Sequence, residues 1–153
     1  MQLNPHLNFN GDCEDALKFY EKCLGGKITL MLPYEGTPVA DHVPAAWRNK
    51  VLHSELLIGD NRLTAADVQP ENYEKPQGFS ITLNIKDPAD AERIFHALEE
   101  NGTVQMPLQE TFWAARFGML VDRFGIPWMI NCGKGDYRGM SASSNQATNG
   151  RKQ

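Results

Sequence analysis

Two short stretches indicate how the chain folds: Asp12-Cys13-Glu14-Asp15-Ala16 and, about 75 residues later, Asp87-Pro88-Ala89-Asp90-Ala91. Each follows an apolar strand pattern and begins with an aspartate that can cap a helix, and a second aspartate stands three residues on, as in a capping box. Each predicted helix then ends at a glycine, Gly25 in the first and Gly102 in the second. The chain therefore predicts one fold unit that occurs twice.

The hydrophobic pattern predicts a strand, a helix and three further strands in each unit. We expect module 1 at residues 1–66, a linker rich in proline and charged residues at 67–78, and module 2 at 79–132. Residues 133–153 contain almost no large apolar side chain, which predicts a flexible tail. The predicted fold class is α+β, built from tandem βαβββ modules.

Composition limits the partners of the protein. The 153 residues are 41% hydrophobic, enough for a sizeable core, and the formal net charge is −4 with scattered basic residues. Neither nucleic acid nor an anionic membrane is expected to bind such a surface, so a small-molecule ligand is the predicted partner. The chain has no apolar run of membrane-spanning length, no signal-peptide pattern and three cysteines without CxxC spacing. We therefore expect a cytoplasmic protein with reduced thiols.

Polar residues alternate with apolar ones along the predicted strands. His6 and Asn8 share one face of the first strand, His53 and Glu55 share one face of a later strand, and Thr82 lies on the polar face of the strand that opens module 2. If each sheet packs its apolar face on its own helix, these polar faces line a concave surface. The prediction is a polar pocket in which Asn8, Glu55 and Thr82 contact a ligand.

Three segments resemble a known family: residues 4–13 (NPHLNFNGDC), 109–114 (QETFWA) and 122–131 (DRFGIPWMIN). They are similar to the signature segments of the PhnB-like branch of the vicinal oxygen chelate superfamily, which includes glyoxalases, extradiol dioxygenases and bleomycin-resistance proteins. The resemblance covers about residues 1–132. It implies that the tandem modules form a curved mixed sheet with helices on the outer face.

Enzymes of that superfamily usually hold a divalent metal with His and Glu side chains from the first and last strands of both modules. His6 matches the position of the first ligand, but Thr64, Thr82 and Asn131 occupy the regions where the others are expected. The usual ligand set is therefore incomplete, and a metal that polarises a substrate generally needs about three protein ligands.

Other donors offer a substitute set. His6, His53 and Glu110 would make a chemically reasonable site for Zn, Ni, Mn or Fe, with Glu110 also as the catalytic group. The alternatives stay open: His53 and Glu55 are equally typical of a solvated surface pair, and Glu110 of a structural carboxylate. In that case the protein has no cofactor.

Trp113 follows Glu110 closely, and an aromatic wall beside a carboxylate suits a flat or cationic ligand. The neighbouring aromatic residues are also typical of core or interface packing. Unpaired strand edges and this aromatic surface favour a homodimer.

The sequence thus supports two function hypotheses: a non-catalytic small-molecule binding protein, and a metal-dependent lyase, isomerase or dioxygenase of glyoxalase type. An RNA-binding sheet is disfavoured by the acidic charge balance.

Overall fold

The computed structural model describes residues 1–134, in which two modules follow one another along the chain. Module 1 consists of β1 (His6–Phe9), α1 (Cys13–Leu24), β2 (Lys27–Pro33), β3 (Val51–Ile58) and β4 (Asn61–Asp67). Module 2 consists of β5 (Ile81–Asn84), α2 (Pro88–Glu99), β6 (Thr103–Gln109), β7 (Ala114–Val121) and β8 (Pro127–Gly133). Both have the order strand, helix and three strands, so the predicted α+β fold of tandem βαβββ modules is confirmed.

Each module forms its own four-stranded mixed sheet. The strand orders are β1-β4-β3-β2 and β5-β8-β7-β6. The first strand of each module runs parallel to the last, with His6 opposite Thr64 and Thr82 opposite Met129, and the other pairs are antiparallel. In the described part of the chain, β1 and β5 therefore have a strand neighbour on one side only.

The two helices lie on one face of their own sheets and also contact each other. Helix α1 buries its apolar side, including Leu17 and Tyr20, and the same core contains Phe95 of α2 and Trp128 of β8. One hydrophobic core thus runs through both modules on the helix side of the sheets. No helix among residues 1–134 is long and apolar enough to cross a membrane.

The start of α1 corrects one sequence prediction. The side chain of Asp12 accepts no capping hydrogen bond, because the buried carboxylate of Asp67 takes that role and accepts from the backbone N–H groups of Gly11 and Cys13 at 2.9 and 3.0 Å. Asp87 does cap α2, since its Oδ1 accepts from the N–H of Ala89 at 2.9 Å. The prediction that Asp12 caps α1 was therefore wrong, and the prediction that Asp87 caps α2 is confirmed.

Several boundaries differ from the sequence prediction. Asp67, predicted to begin the linker, ends β4 and is almost fully buried. Strand β5 begins at Ile81, opposite Trp128, so that Phe79 lies outside it and is 49% exposed. Of the predicted tail at 133–153, Gly133 closes β8 and Lys134 follows it. The remainder of the tail lies outside the described residues.

The long segment between β2 and β3 contains two short 3-10 helices, Ala40–His42 and Ala45–Trp47. Backbone hydrogen bonds at its base extend the hairpin of the flanking strands, such as that from the N–H of Tyr34 to the carbonyl of Lys50 at 3.0 Å. Lys50 Nζ also donates to the carbonyl of Gly11 at 2.9 Å. The segment is therefore anchored beside the start of α1.

Candidate functional site

The face of the module 1 sheet that points away from α1 is called here open face 1. Alternation along β1 buries Leu7 and Phe9 in the core, so the residues between them are exposed on the opposite side. Strand β3 behaves in the same way, since Ser54 and Leu56 are fully buried. The polar side chains of open face 1 include those of His6, Asn8, His53, Glu55 and Thr64.

Two histidines lie together on open face 1. The rings of His6 and His53 are stacked, with centroids 6.3 Å apart and planes inclined by 12°. His6 Nδ1 and Thr64 Oγ1 are 2.7 Å apart, which fixes the ring of His6. Partial burial lowers the pKa of His6, nearby His53 lowers it further, and a hydrogen bond with Asn8 acts in the opposite direction. His6 therefore takes up a proton less readily than an ordinary histidine, which favours the form that can accept a hydrogen bond or bind a metal.

Glu55 already has partners on the same face. Its Oε1 accepts from Thr29 Oγ1 at 2.8 Å, and its Oε2 lies 3.3 Å from Arg62 Nε. Glu55 and His6 flank Thr64 on opposite sides across three neighbouring strands. The carboxylate of Glu55 thus belongs to a polar network with Thr29 and Arg62 and, within residues 1–134, makes no hydrogen bond or ion pair with either histidine.

The corresponding surface of module 2, here called open face 2, has a different character. Thr82 and Asn84 of β5 are exposed on it, because Ile81 and Leu83 point to the helix side. Asn131 Nδ2 donates to Asn84 Oδ1 at 3.2 Å. Asn131 Oδ1 is buried without a hydrogen-bond partner. A buried polar oxygen of this kind is rare in folded proteins and requires an explanation.

Glu110 lies just beyond the end of β6. It forms an ion pair with Lys134, and the hydrogen bond and positive charge of Lys134 lower the pKa of the Glu110 carboxyl. The nearby ring of Trp113 packs edge to face between Phe112 and Phe117, with centroid distances of 4.7 and 5.3 Å. Since Phe117 lies opposite Asn131, this aromatic ladder reaches open face 2.

A metal ion does not fit the donors that one chain brings together. Within residues 1–134 no three His, Cys, Asp or Glu side chains are close enough to hold one. His6 and His53 are neighbours, but Glu55 and Glu110 have other partners. Of the three proposed ligands, His6 and His53 thus lie together in a single chain, and Glu110 is not close enough to complete a metal site with them.

Two clefts border the open faces. A cleft of about 570 Å³ is lined by His6 and Asn8, and one of about 740 Å³ is lined by Met129 and Val121. Both use the connector at residues 75–79 as a wall. Their volumes fall in the range of small-molecule sites, roughly 300–1,000 Å³.

Sequence reasoning missed Met129 as a residue that lines a cleft and did not place Asn131 on open face 2. The final strand carries the signal that could have found them, because Trp128, Ile130 and Cys132 alternate with Met129 and Asn131. Once the first three are assigned to the core, the other two must point to the open face.

Comparison with known proteins decides the family. The model of the Glyoxalase/Bleomycin resistance protein/Dioxygenase superfamily matches residues 3–130. The chain belongs to this superfamily. Protein YjdN of Escherichia coli strain K12 is 32% identical over 139 residues, which cover 86% of this chain and 95% of that protein. The predicted superfamily is therefore confirmed.

Solved structures agree with this glyoxalase-superfamily fold. Protein PA1353 from Pseudomonas aeruginosa has 48% sequence identity and a TM-score of 0.80, and the match covers 87% of this chain and 98% of that one. The PhnB protein from Bacillus cereus has 20% identity and a TM-score of 0.74 over 87% of this chain and 100% of that one. The second likeness is one of fold.

Proposed function

We propose that this glyoxalase-superfamily protein is a PhnB-like binding protein that holds a small molecule on its open sheet faces without catalysing a reaction on it. The observation that carries the proposal is a contrast. The sheet faces border clefts that are large enough for a small molecule, but the metal ligands that catalysis would need are incomplete. Two clefts of small-molecule size border the open faces, whereas no three candidate metal ligands meet within residues 1–134. Asn8, Glu55, Thr82 and Trp113 are the proposed ligand contacts.

The state of the carboxylates supports binding over catalysis. A general base must reach the proton that it removes and must be free to accept it. Glu55 is engaged by Thr29 and Arg62, and Glu110 is engaged by Lys134. Neither carboxylate is therefore poised to act as a base in the arrangement that the single chain adopts.

We further propose a homodimer in which open face 1 of one chain lies opposite open face 2 of the other. Within one chain the modules join on their helix sides, so both open faces point outwards. Strands β1 and β5 each have a free edge, and exposed apolar side chains precede them, with Leu3 97% and Phe79 49% exposed. Free strand edges beside exposed apolar side chains are typical of interfaces, which favours pairing with a second copy.

The alternative is a metal-dependent glyoxalase-type lyase or isomerase, or a dioxygenase, using Zn, Ni, Mn or Fe. The stacked His6 and His53 favour it, because imidazole nitrogens are good ligands for these metals. It requires a third ligand from outside the single-chain arrangement, and Glu110 of a second chain is the candidate, both as ligand and as catalytic group. The three free thiols fit the proposed cytoplasmic location in either case.

Thermal unfolding of metal-free protein separates the two functions. We expect compounds from a small-molecule library to raise the melting temperature in the presence of a chelator, because a ligand selective for the folded state stabilises it. Zinc, nickel, manganese and iron(II) are titrated alone in parallel. A rise at submicromolar metal that His6→Ala and Glu110→Ala abolish, together with compound binding that requires the metal, would establish the enzyme instead.

A further inference from the structure

Four side chains cross open face 2 at one end of the module 2 sheet and form what is called here the cleft row: Ser80, Pro127, Val121 and Thr103. Strand register sets their order, because Pro127 lies opposite Val121 and Val121 lies opposite Thr103. Ser80 directly precedes β5 and is level with Pro127. All four line the cleft of about 740 Å³. The row therefore has an apolar middle and a hydroxyl group at each end.

The cleft row is long enough for the body of a small organic molecule. Neighbouring strands lie about 4.8 Å apart, so the three strand spacings between Ser80 and Thr103 amount to roughly 14 Å. Met129 and the half-exposed ring of Phe79 widen the apolar surface beside the row. Covering apolar surface of this kind is favourable for a ligand that has an apolar body.

Lys75 is the one charged residue in the described lining of this cleft. The other lining residues are polar without charge, apolar or glycine. Lys75 takes part in none of the ion pairs that form among residues 1–134. An ammonium group at the wall of a cleft that no described carboxylate lines attracts an anion.

The neighbouring cleft of about 570 Å³ has a different balance of charges. Lys75 lines it too, but so does Glu74. The carboxylate of Glu74 offsets the positive charge there, whereas it is absent from the described lining of the larger cleft. Of the two clefts, the one of about 740 Å³ is therefore better suited to an anion.

We propose that the cleft of about 740 Å³ binds an organic monocarboxylate, whose carboxylate pairs with the ammonium of Lys75 and whose apolar body lies on Pro127 and Val121. The inference rests on the proposed binding function and specifies its ligand class. The hydroxyl groups at the ends of the cleft row can donate a further hydrogen bond to the carboxylate. One lysine balances one negative charge, which favours a monocarboxylate over a dianionic phosphate.

The charge of the whole chain makes a test of this proposal specific. The formal net charge is −4, so the long-range field of the protein repels an anion and attracts a cation. If the protein nevertheless prefers an anion to a neutral molecule of the same shape, the preference must come from a positive group at the site.

Four naphthyl probes measure this preference by isothermal titration calorimetry: 2-naphthoate, 2-naphthamide, 2-naphthyl phosphate and 2-naphthylmethylammonium. We expect 2-naphthoate to bind about tenfold more tightly than the neutral amide, because it forms a charge-assisted hydrogen bond. The phosphate should bind no more tightly than 2-naphthoate, and the cation should bind most weakly. Equal affinities for 2-naphthoate and the amide, or tighter binding of the phosphate or the cation, would overturn the ligand class.

Variants of Lys75 test its role. Lys75→Met should weaken 2-naphthoate binding about tenfold and leave amide binding unchanged, whereas Lys75→Arg keeps the charge and should retain the affinity for 2-naphthoate. Lys27→Met, at an exposed position of β2 that lines neither cleft, is the matched control. Equal affinities for 2-naphthoate in the wild type and in Lys75→Met would refute the site.

A second pair of variants distinguishes the two clefts that Lys75 lines. Val121→Glu places a negative charge in the middle of the cleft row, and Val121→Gln has the same size without the charge. We expect 2-naphthoate to bind at least tenfold more weakly to the first than to the second. Equal affinities in this pair, together with a loss of binding in His6→Leu, would place the anion in the cleft of about 570 Å³ and overturn the proposal.

The library screen keeps this inference separate from the proposed function. If other compounds stabilise the protein and 2-naphthoate does not bind, the ligand class is wrong and the binding function stands. If no compound of any class binds, both fail.

Discussion

The phenol of Tyr20 donates a 2.5 Å hydrogen bond to Asp122 Oδ2, and this bond joins helix α1 of module 1 to the turn that follows β7 in module 2. The indole of Trp128 donates to the same oxygen at 2.8 Å. All three side chains are buried, and burial together with the Asp122 charge raises the pKa of Tyr20 well above its ordinary value. The contact holds the modules together on their helix sides and so leaves the open sheet faces outwards.

Tyr20→Phe should lower the free energy of unfolding by about 1.5–3 kcal/mol, because it removes a buried hydrogen bond to a carboxylate. Urea denaturation measures this change. Tyr73→Phe is the matched control, since the Tyr73 hydroxyl makes no hydrogen bond within the described residues, and it should change stability by less than about 0.5 kcal/mol. An equal loss of unfolding free energy in the two variants would show that the Tyr20–Asp122 hydrogen bond does not stabilise the packing of the modules.

Asp67→Asn should also destabilise the fold, by about 2 kcal/mol. Asp67 Oδ1 accepts from the N–H groups of Gly11 and Cys13, and Oδ2 accepts from that of Val51 at 2.9 Å. An amide has only one oxygen, so its NH₂ group must face at least one of these donors. Asp60→Asn in the exposed turn between β3 and β4 should be nearly neutral in the same urea experiment.

The role of Asp67 in the fold could not be predicted from the sequence. The strand, helix and turn patterns are local, so the module order and both helices were predicted from them. An aspartate followed by prolines and charges reads locally as a linker, whereas its actual role depends on Gly11 and Cys13, more than 50 residues away. Only the folded chain brings these groups together.

His6 and His96 should titrate on opposite sides of the ordinary histidine pKa of 6.5. Burial and His53 lower the pKa of His6, while the hydrogen bond to Glu99 raises that of His96. NMR titration of the ring protons measures both. His53→Gln should raise the pKa of His6 without restoring it fully, and Glu99→Gln should lower only that of His96. A His6 pKa at or above 6.5 would contradict the stacked arrangement.

The lowered pKa of His6 determines how the stability of the fold changes with pH. Between the folded pKa of His6 and the unfolded value near 6.5, the unfolded chain binds more protons. The stabilising contribution of His6 is therefore complete above pH 6.5 and declines as the pH falls through its folded pKa. We expect the stability difference between wild type and His6→Gln to shrink over that window in urea denaturation.

The candidate site was predictable only in part. Alternation along single strands correctly grouped His53 with Glu55 on the open face, since one strand contains both. The alignment of Met106, Met119 and Met129 was out of reach because they lie on three strands, and their alignment depends on register and on the irregular pairing of β6 with β7. The ion pair between Glu110 and Lys134 was likewise out of reach, because it forms only where two segments that are separate in the sequence come together in the fold.

Mixed dimers show whether a ligand site forms between open face 1 of one chain and open face 2 of another. Light scattering first establishes whether the mass corresponds to two chains of 17.2 kDa each. His6→Leu/His53→Leu damages open face 1, and Asn131→Leu/Met119→Glu damages open face 2. The two variants are co-expressed with different tags and purified through both tags.

Each homodimer should bind no compound that the library screen finds for the wild type, whereas the mixed dimer contains one undamaged site and should bind about half as much of that compound as the wild type, with wild-type affinity. A monomeric mass, or a mixed dimer that binds no more of the compound than its parents, would contradict the shared site.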